Sequence, residues 1–373
     1  MKPKTVMVVA GEASGDALAA DLVRALAPSL GSARFIGAGG PKMAEAGVEC
    51  SFDLTADAVI GIVVKKLPLF RRRMQELTRL AIEQKPELIV LVDFSGFNRR
   101  LAHTIRKACG SGPKIVQFVS PQVWASRPGR ADKMARDFDL LLCLFPFEKE
   151  WYARRTPKFR VVWVGHPMFD KYKATGREEG PVPIVVLLPG SRAGELKRHL
   201  PVLYKAAELI AAKQTVRFIM VTPTEETAAM ARAWPSAGNA KIEIQVGGLQ
   251  AALSTATITI TKTGTVTLEC AFFGVPTVAF YKTDPLTYAI GRQIVTVKYA
   301  AAPNLLAGKA LFPEFIQHEA TPDNIAKAAL ELLGNEARRR KIRAELREVI
   351  STLGGPGAAK RAAAAILDLG WDG

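Results

Sequence analysis

The sequence lacks an apolar run long enough to cross a membrane. A membrane-spanning helix needs about 20 largely apolar residues, and none of the apolar runs in the 373-residue chain approaches that length. The first run follows Lys2 and Lys4, but it is too short for the apolar part of a signal peptide, and an acid-bearing turn comes directly after it. We therefore predict a cytoplasmic protein whose first element is a β-strand.

Cysteine and histidine are scarce, with four residues of each. The cysteines form no CxxC pair and the histidines are isolated, which argues against a metal cluster, a zinc site or a disulfide framework. The chain also has no P-loop, and "GAGGPKM" is only a partial glycine fingerprint, so binding of NAD or ATP is poorly supported. We expect no metal and no cofactor.

Acidic residues are outnumbered, 35 against 51 Lys and Arg, which gives a net charge of +16. Such a balance favours nucleic acid, an anionic membrane surface or phosphorylated substrates as partners, although a general solubility bias would also produce it. The basic residues are spread along the chain, and no nucleic-acid-binding motif is present. We expect no nucleic-acid partner.

Apolar runs alternate with helical stretches along most of the chain. Continuous apolarity is typical of strands that are covered on both faces, as in a parallel sheet. After the first run, Leu18, Leu22 and Leu26 recur at helical spacing, and Asp16 is their predicted N-cap. The predicted strands lie at 5–11, 33–38, 87–93, 114–120, 140–145 and 160–165, and then at 184–190, 216–222, 241–247, 256–261 and 276–281.

A polar break rich in Gly and Pro at 171–183 separates the two sets of strands. We predict two doubly wound, Rossmann-like α/β domains over 1–172 and 173–335, which face each other across a cleft. The remainder, 336–373, is predicted to be helical and to pack back toward the first domain.

Polar and glycine residues follow strand after strand, at the edge where open α/β sheets bind ligands. In "PGSRAGE", Gly190, Ser191 and Arg192 suit a phosphate, with a surface turn as the alternative. In "KTGTVTLE", Gly264 and Thr265 would open a helix toward a diphosphate. A carboxylate further along that helix, Glu269, could bind ribose hydroxyls, although Glu also simply favours helix formation.

The order of the motifs resembles the lipid-A-disaccharide synthase family over roughly residues 5 to 330. The motifs are "GEASGD", "FIGAGGPKM", "VDFSGFN", "VSPQVWASRPGR", "LFPFEKEWY", "VGHPM", "LLPGSRAGE", "TGTVTLE" and "APNLLAG". The resemblance implies the two-domain GT-B fold and a metal-independent, inverting transfer. In that reaction 2,3-diacylglucosamine moves from UDP to the 6-hydroxyl of 2,3-diacylglucosamine 1-phosphate (lipid X). Family members can form dimers, so a homodimer is an open expectation.

The resemblance also assigns roles to residues. Asp93 is expected to be the catalytic base or to orient the acceptor, and Glu12 to line the site. The expected UDP-binding residues, some of them already indicated by the local pattern, are Gly190, Ser191, Arg192, Thr263, Gly264, Thr265, Glu269 and Asn304. The expected acceptor or lipid contacts are Ser14, Asn98, Gln122, Trp124, His166, Lys65 and Lys66; for His166 a structural role is an equal alternative.

The chain departs from the family pattern at three places. Ser126 stands where a second tryptophan is common, "KTGT" where "ASGT" is common, and the stretch 59–70 is shorter and lacks a glutamate. The basic, apolar stretch 59–73 either docks on the anionic cytoplasmic face of the inner membrane or is a core helix with a basic edge.

Two other functions stay open. One is a different GT-B enzyme that uses UDP-N-acetylglucosamine, such as a murein precursor transferase or a sugar-nucleotide epimerase. The other is an inactive paralogue that binds lipid or nucleotide, which the altered stretch 59–70 would favour.

Overall fold

The chain divides into two compact units. The computed structural model describes residues 4–59, 67–173, 180–235, 238 and 240–371. One unit comprises Met1–Lys171 together with Leu353–Gly373, and the other comprises Tyr172–Thr352. Each unit is built on one parallel sheet.

The N-terminal unit has a seven-stranded sheet in the order β3-β2-β1-β4-β5-β6-β7. All neighbouring strands in it are parallel. The strands are β1 (Thr5–Ala10), β2 (Arg34–Gly39), β3 (Val48–Asp53), β4 (Leu88–Val92), β5 (Lys114–Phe118), β6 (Leu140–Cys143) and β7 (Val161–Trp163).

Helices cover both faces of this sheet. Successive residues of a strand point to opposite faces, so Val6 and Val8 of β1 join one core cluster while Met7 and Val9 join another. The helices are α1 (Ala13–Leu30), α2 (Pro41–Glu45), α3 (Leu54–Val59), α4 (Leu67–Gln84), α5 (Ser95–Cys109), α6 (Val123–Ser126), α7 (Arg130–Asp137), α8 (Pro146–Arg155), α9 (Met168–Lys171) and, at the end of the chain, α18 (Ala358–Leu367).

The C-terminal unit has a six-stranded parallel sheet in the order β10-β9-β8-β11-β12-β13. Its strands are β8 (Ile184–Leu188), β9 (Arg217–Thr222), β10 (Ile242–Val246), β11 (Ile258–Lys262), β12 (Thr277–Tyr281) and β13 (Glu314–Ile316). Its helices are α10 (Ala193–Ala211), α11 (Glu225–Arg232), α12 (Leu249–Thr255), α13 (Thr265–Phe272), α14 (Pro285–Ile294), α15 (Ala302–Ala307), α16 (Pro322–Gly334) and α17 (Glu336–Ser351).

The predicted pair of doubly wound, Rossmann-like domains is confirmed. Two strands are not in the predicted set, because β3 alternates polar and apolar residues and β13 has only three residues. The segment 336–373 is divided between the units, since α17 lies in the C-terminal unit and α18 packs on α1 in the N-terminal unit. In the part of the chain that is described, no helix combines the length and apolarity needed to span a membrane.

Candidate active site

The turns that follow β1 and β4 fit into each other in the N-terminal unit. A side chain at Gly11 would collide with the ring of Phe94, because a Cβ there would lie 2.1 Å from Cδ1 of that ring. A Cβ at Gly15 would lie 3.5 Å from the Cβ of Asp93. Because the two glycines of "GEASGD" have no side chain, the turn after β4 can approach the turn after β1 closely. The negative charge of Glu12 therefore acts on the Asp93 carboxyl.

The backbone at Asp93 adopts an uncommon conformation. Asp93 has a φ of 51° and Phe94 a φ of 35°, in the left-handed region that a bulky residue such as Phe rarely enters. The turn is tied to β5, because the amide N–H of Asp93 donates to the carbonyl of Phe118 at 2.8 Å. Such strain persists only where the surroundings hold it, and it is common at functional sites.

Two buried amide side chains hold the carbonyl of Asp93. Asn98 Nδ2 donates to it at 2.9 Å and Gln117 Nε2 at 3.0 Å. The oxygens Asn98 Oδ1 and Gln117 Oε1 are buried and accept no hydrogen bond from the residues described, which is a cost that native proteins rarely carry. The two amides therefore fix the position of Asp93 at the expense of their own oxygens.

The Asp93 carboxyl has a higher proton affinity than an ordinary aspartate. Burial raises its pKa to about 6, and the negative charge of Glu12 contributes in the same direction. A carboxylate with a pKa close to the working pH is an effective general base, because it is ionised at neutral pH and still holds a proton well. Asp93 therefore stays the predicted base.

Two predictions in this unit are corrected, and one residue is added. Asn98 has no exposed surface and holds the Asp93 turn, so it is a positioning residue and not an acceptor contact. Gln117, which the sequence analysis missed, does the same; its signal was a lone polar residue in the apolar run "KIVQFVS". Asp16 does not cap α1, because its carboxylate accepts the N–H groups of Gly40, Lys42 and Met43 at 2.8–3.0 Å and thereby caps α2.

Trp124 and His166 are engaged in internal contacts. Trp124 Nε1 donates to Glu148 Oε1 at 3.0 Å, and burial raises the pKa of Glu148 to about 7. His166 Nδ1 accepts the N–H of Met168 at 3.2 Å, and burial lowers the pKa of His166 to about 4, which keeps the ring neutral. These contacts favour the structural alternative for His166.

Two further predicted acceptor contacts are exposed to solvent. Ser14 lies in the first turn of α1 and Gln122 directly before α6, where a ligand could reach them. Lys65 and Lys66 lie outside the described residues.

In the C-terminal unit, the turns after β8 and β11 lie side by side, because Leu188 pairs with Thr261. Gly190 has a φ of 123°, and a Cβ on it would lie 2.4 Å from Glu195 Oε2, so only glycine fits there. The same carboxylate oxygen accepts the N–H of Ser191 at 3.2 Å.

Lys262 is the half-buried cation of this site, and the sequence analysis did not assign it. Its Nζ lies 3.5 Å from Glu195 Oε1, and its side chain is 20% exposed. Arg192, the predicted cation, lies 3.9 Å from the same oxygen but is 72% exposed. The signal for Lys262 was the departure of "KTGT" from the family pattern.

Gly264 precedes α13 with a φ of 129°, which a side chain would strain. A Cβ there would lie 3.1 Å from Lys262 Nζ, so the glycine leaves room for the ammonium beside the start of the helix. Thr263 is buried and Thr265 is exposed at the first position of α13. The positive end of the helix and Lys262 together suit a phosphate group.

Glu269 lies in the second turn of α13 and accepts a hydrogen bond from the hydroxyl of Tyr172 at 2.6 Å. Burial raises the pKa of Tyr172, and the neighbouring carboxylate raises it further, so the hydroxyl keeps its proton. Tyr172 therefore orients the carboxylate predicted to contact the ribose.

Asn304 is corrected from a nucleotide contact to a structural residue. It has no exposed surface. Its Nδ2 donates to Phe312 O and Glu314 Oε1, and its Oδ1 accepts the N–H groups of Leu311 and Phe312, all at 2.7–2.8 Å. Because an amide has two donors and two acceptor positions, none is left for a ligand.

The sequence and the fold were compared with those of known proteins. The profile of a family described as "Lipid-A-disaccharide synthetase" matches residues 6–368. A lipid-A-disaccharide synthase from Geobacter sulfurreducens is 36% identical, with 98% of this chain and 97% of that protein covered. One from Syntrophus aciditrophicus is 37% identical, with 99% and 98% covered. The crystal structure of MurG from Acinetobacter baumannii has a TM-score of 0.58 at 16% identity, covering 98% of this chain and 100% of that one, and this likeness shows the fold alone.

Proposed function

The chain belongs to the lipid-A-disaccharide synthetase family, and on this premise we propose its substrates and the roles of its residues. It is a glycosyltransferase of lipid A biosynthesis. In the proposed reaction, 2,3-diacylglucosamine moves from UDP-2,3-diacylglucosamine to the 6-hydroxyl of lipid X. The observation that carries the proposal is Asp93: two buried amides hold its backbone carbonyl, and its carboxyl has a pKa raised to about 6.

On the acceptor side, Asp93 removes the proton of the 6-hydroxyl. The hydroxyl oxygen forms a bond to the anomeric carbon of the donor as the bond from that carbon to the UDP oxygen breaks, so the anomeric centre inverts. Asp93 ends protonated and UDP leaves with the bonding electron pair. Glu12 assists by keeping the pKa of Asp93 raised, which makes the carboxylate a better proton acceptor.

On the donor side, the leaving diphosphate gains negative charge as the bond breaks, and groups that meet this charge lower the barrier. We assign this role to Lys262 and the N-terminus of α13, with the turn of Gly190 and Ser191 as a further contact. Arg192, which is exposed, supplies longer-range charge. Glu269, oriented by Tyr172, receives the ribose hydroxyls.

We place the protein at the cytoplasmic face of the inner membrane, because its substrates carry acyl chains. Of the described basic residues in 59–73, Arg72 and Arg73 contact Glu76 at 2.8 and 2.9 Å, whereas Arg71 is exposed. Replacement of Lys65, Lys66 and Arg71 to Arg73 by Ser should weaken binding to anionic liposomes, and unchanged binding would remove this assignment. Sedimentation of the purified chain tests the expected homodimer.

The function is tested by UDP release from UDP-2,3-diacylglucosamine with and without lipid X. We expect release that depends on the acceptor and is lost in Asp93→Asn, whose side chain tolerates the same backbone conformation. Asp21→Asn, an exposed acid on α1, is the matched control. Faster turnover of UDP-N-acetylglucosamine than of the acylated donor would favour the other GT-B enzymes. No release with any acyl length would favour the binding paralogue.

A further inference from the structure

Four arginines lie on α5, α6 and α7 in the N-terminal unit. Arg99 and Arg100 lie in the second turn of α5, the helix that begins two residues after Asp93. Arg127 ends α6, and Arg130 begins α7. The backbone N–H of Arg130 donates to the carbonyl of Arg127 at 3.0 Å, and α7 packs on α5, so the four come from adjacent pieces of one surface.

These four guanidinium groups repel one another. Burial lowers the pKa of Arg99, and the charges of Arg100 and Arg127 lower it further. Burial also lowers the pKa of Arg130, and the other three charges add to this effect. Arg99 and Arg130 therefore lie within reach of the positive charges of their neighbours.

No carboxylate among the described residues forms an ion pair with any of the four. Elsewhere in the same unit arginines are paired: Arg106 contacts Asp139 at 2.6 Å and Arg34 contacts Glu49 at the same distance. Arg99 and Arg130 are also partly buried, whereas unpaired cations are normally left in full contact with water. With Arg99 and Arg130 half-buried, Arg100 and Arg127 exposed and none of them paired with a carboxylate, the cluster has the chemistry of a site for a multiply charged anion.

We propose that Arg99, Arg100, Arg127 and Arg130 bind the phosphate monoester of the acceptor. Guanidinium groups match the geometry of phosphate oxygens and donate two hydrogen bonds at a time. A dianionic phosphate would also relieve the repulsion between the four charges. The site is distinct from the one assigned to the donor diphosphate, which uses residues of the C-terminal unit.

The position of the cluster fits this ligand. Arg99 lies four residues into the helix after Ser95, and a helix rises about 1.5 Å per residue, so its backbone is about 6 Å along the axis from the start of α5. The acceptor carries its phosphate on C1 and the hydroxyl that Asp93 is proposed to deprotonate on C6, so both groups belong to one monosaccharide. One monosaccharide can therefore present its hydroxyl to Asp93 and its phosphate to the arginines. This inference rests on the proposed function.

The test compares the phosphorylated acceptor with the same diacylglucosamine lacking the phosphate. For the wild type, kcat/KM should be higher with the phosphorylated acceptor. In Arg99→Gln and Arg130→Gln the ratio of the two values should fall about 10- to 100-fold, since hydrogen bonds to charged groups are strong. Lys107→Gln, an exposed cation two turns further along α5, is the control and should leave the ratio unchanged.

Thermal unfolding distinguishes binding from a structural role. Because the arginines repel one another in the free protein, Arg99→Gln and Arg130→Gln should keep or raise the Tm. A binding site commonly sacrifices stability in this way. A lowered Tm with an unchanged ratio would overturn the proposal and make the arginines structural.

Two further arms identify the ligand. If the variants lose binding to vesicles of anionic phospholipid but keep the ratio, the cluster contacts a membrane and the proposal is wrong. If the wild type releases no UDP, the proposed transfer is wrong. The role of the arginines can then still be tested by equilibrium binding of radiolabelled lipid X and its dephosphorylated form in micelles. Tighter binding of the phosphorylated form that Arg130→Gln abolishes would support the site; equal binding of the two forms would overturn it.

Discussion

The chemistry of the acceptor site depends on how one carboxyl is held. Asp93 combines a left-handed backbone, a raised pKa and two amide donors on its carbonyl. The amides act on the backbone while Glu12 and burial act on the carboxyl, so position and proton affinity are set by different neighbours. Changes at these neighbours should consequently separate the two effects.

The pH dependence of the reaction should report Asp93. Since the base must be ionised, kcat/KM should fall as the pH drops below about 6. Glu12→Gln removes a charge that raises the pKa of Asp93. The fall of kcat/KM on the acid side of the pH profile (the acid limb) should therefore move to lower pH. Glu45→Gln, an exposed acid on α2, should leave the limb in place. An unshifted limb in Glu12→Gln would contradict the coupling.

Asp93→Asn should make the protein more stable at neutral pH. The pKa of Asp93 is raised from 3.8 in the unfolded chain to about 6 in the folded state, so ionisation weakens the fold between these values. The penalty is complete above pH 6 and absent below about pH 4. We expect Asp93→Asn to raise the free energy of unfolding by about 1–3 kcal/mol at pH 7 and to leave it unchanged near pH 4. Urea unfolding at both pH values makes the measurement. A gain of equal size at pH 4 would point to a different cause.

Lys262 is expected to act on the leaving diphosphate. Lys262→Met keeps the length of the side chain but removes its charge, and should lower kcat/KM for the donor about 10- to 100-fold. Lys197→Met, at an exposed position of α10, is the matched control. Steady-state kinetics with varied donor make the measurement. Undiminished kcat/KM would leave Lys262 with only its contact to Glu195.

At the scale of elements, the candidate residues of each unit lie in turns at the carboxyl ends of that unit's parallel strands. The β1 turn is shaped by the β4 turn, because Phe94 occupies the space next to Gly11. In the turn after β8, Glu195 of α10 fills the space beside Gly190, and in the turn after β11, Lys262 at the end of that strand fills the space beside Gly264. Gly11 and Gly190 are thus explained by a side chain from an adjoining element, and Gly264 by a side chain two residues earlier.

Gly11→Ala tests this interlocking of turns. The added Cβ would lie 2.1 Å from the ring of Phe94, so the ring and Asp93 next to it must move. We expect kcat to fall by at least tenfold, because small displacements of reacting groups are costly. A smaller side chain in Gly11→Ala/Phe94→Leu should restore part of the activity. If Gly11→Ala alone is fully active, the contact does not position Asp93.

At the scale of the whole molecule, the last residues of the chain belong to the N-terminal unit. The N-terminal unit ends with Leu353–Gly373, after the entire C-terminal unit. In α18, Ala362 and Ile366 are buried in the same cluster as Val8 of β1 and Leu22 of α1. The core of the N-terminal unit therefore contains residues from both ends of the chain.

Ile366→Ala should accordingly destabilise the N-terminal unit. Loss of a fully buried isoleucine costs about 2–5 kcal/mol. The exposed Lys360→Ala on the same helix is the control. Hydrogen exchange should show faster exchange in β1 and β4 than in β8 and β11. Equal acceleration in both sheets would mean that the two units unfold together.

Much of the fold could be predicted from the sequence, because buried parallel strands carry an unmistakable pattern. Eleven apolar runs predicted strands that the structure contains, although the run that forms β10 alternates as β3 does. The two strands that were not predicted are β3 and the three-residue β13. The motifs after the strands identified Asp93 and the two glycine turns, since the carboxyl ends of parallel strands meet at one edge.

The tertiary structure decided which of those residues face a ligand. Asn98, Asn304 and Asp16 have polar side chains in motif positions, but these side chains are buried and hydrogen-bond to backbone groups of the protein. Lys262 became a candidate only through its contact with Glu195. The arginines around Arg99 became candidates only because neighbouring helices bring their charges near one another. The sequence by itself determined the order of the strands along the chain and the residue types at their ends. Burial, pairing and the pKa of a carboxyl depend on neighbours distant in the chain, so only the folded structure could decide them.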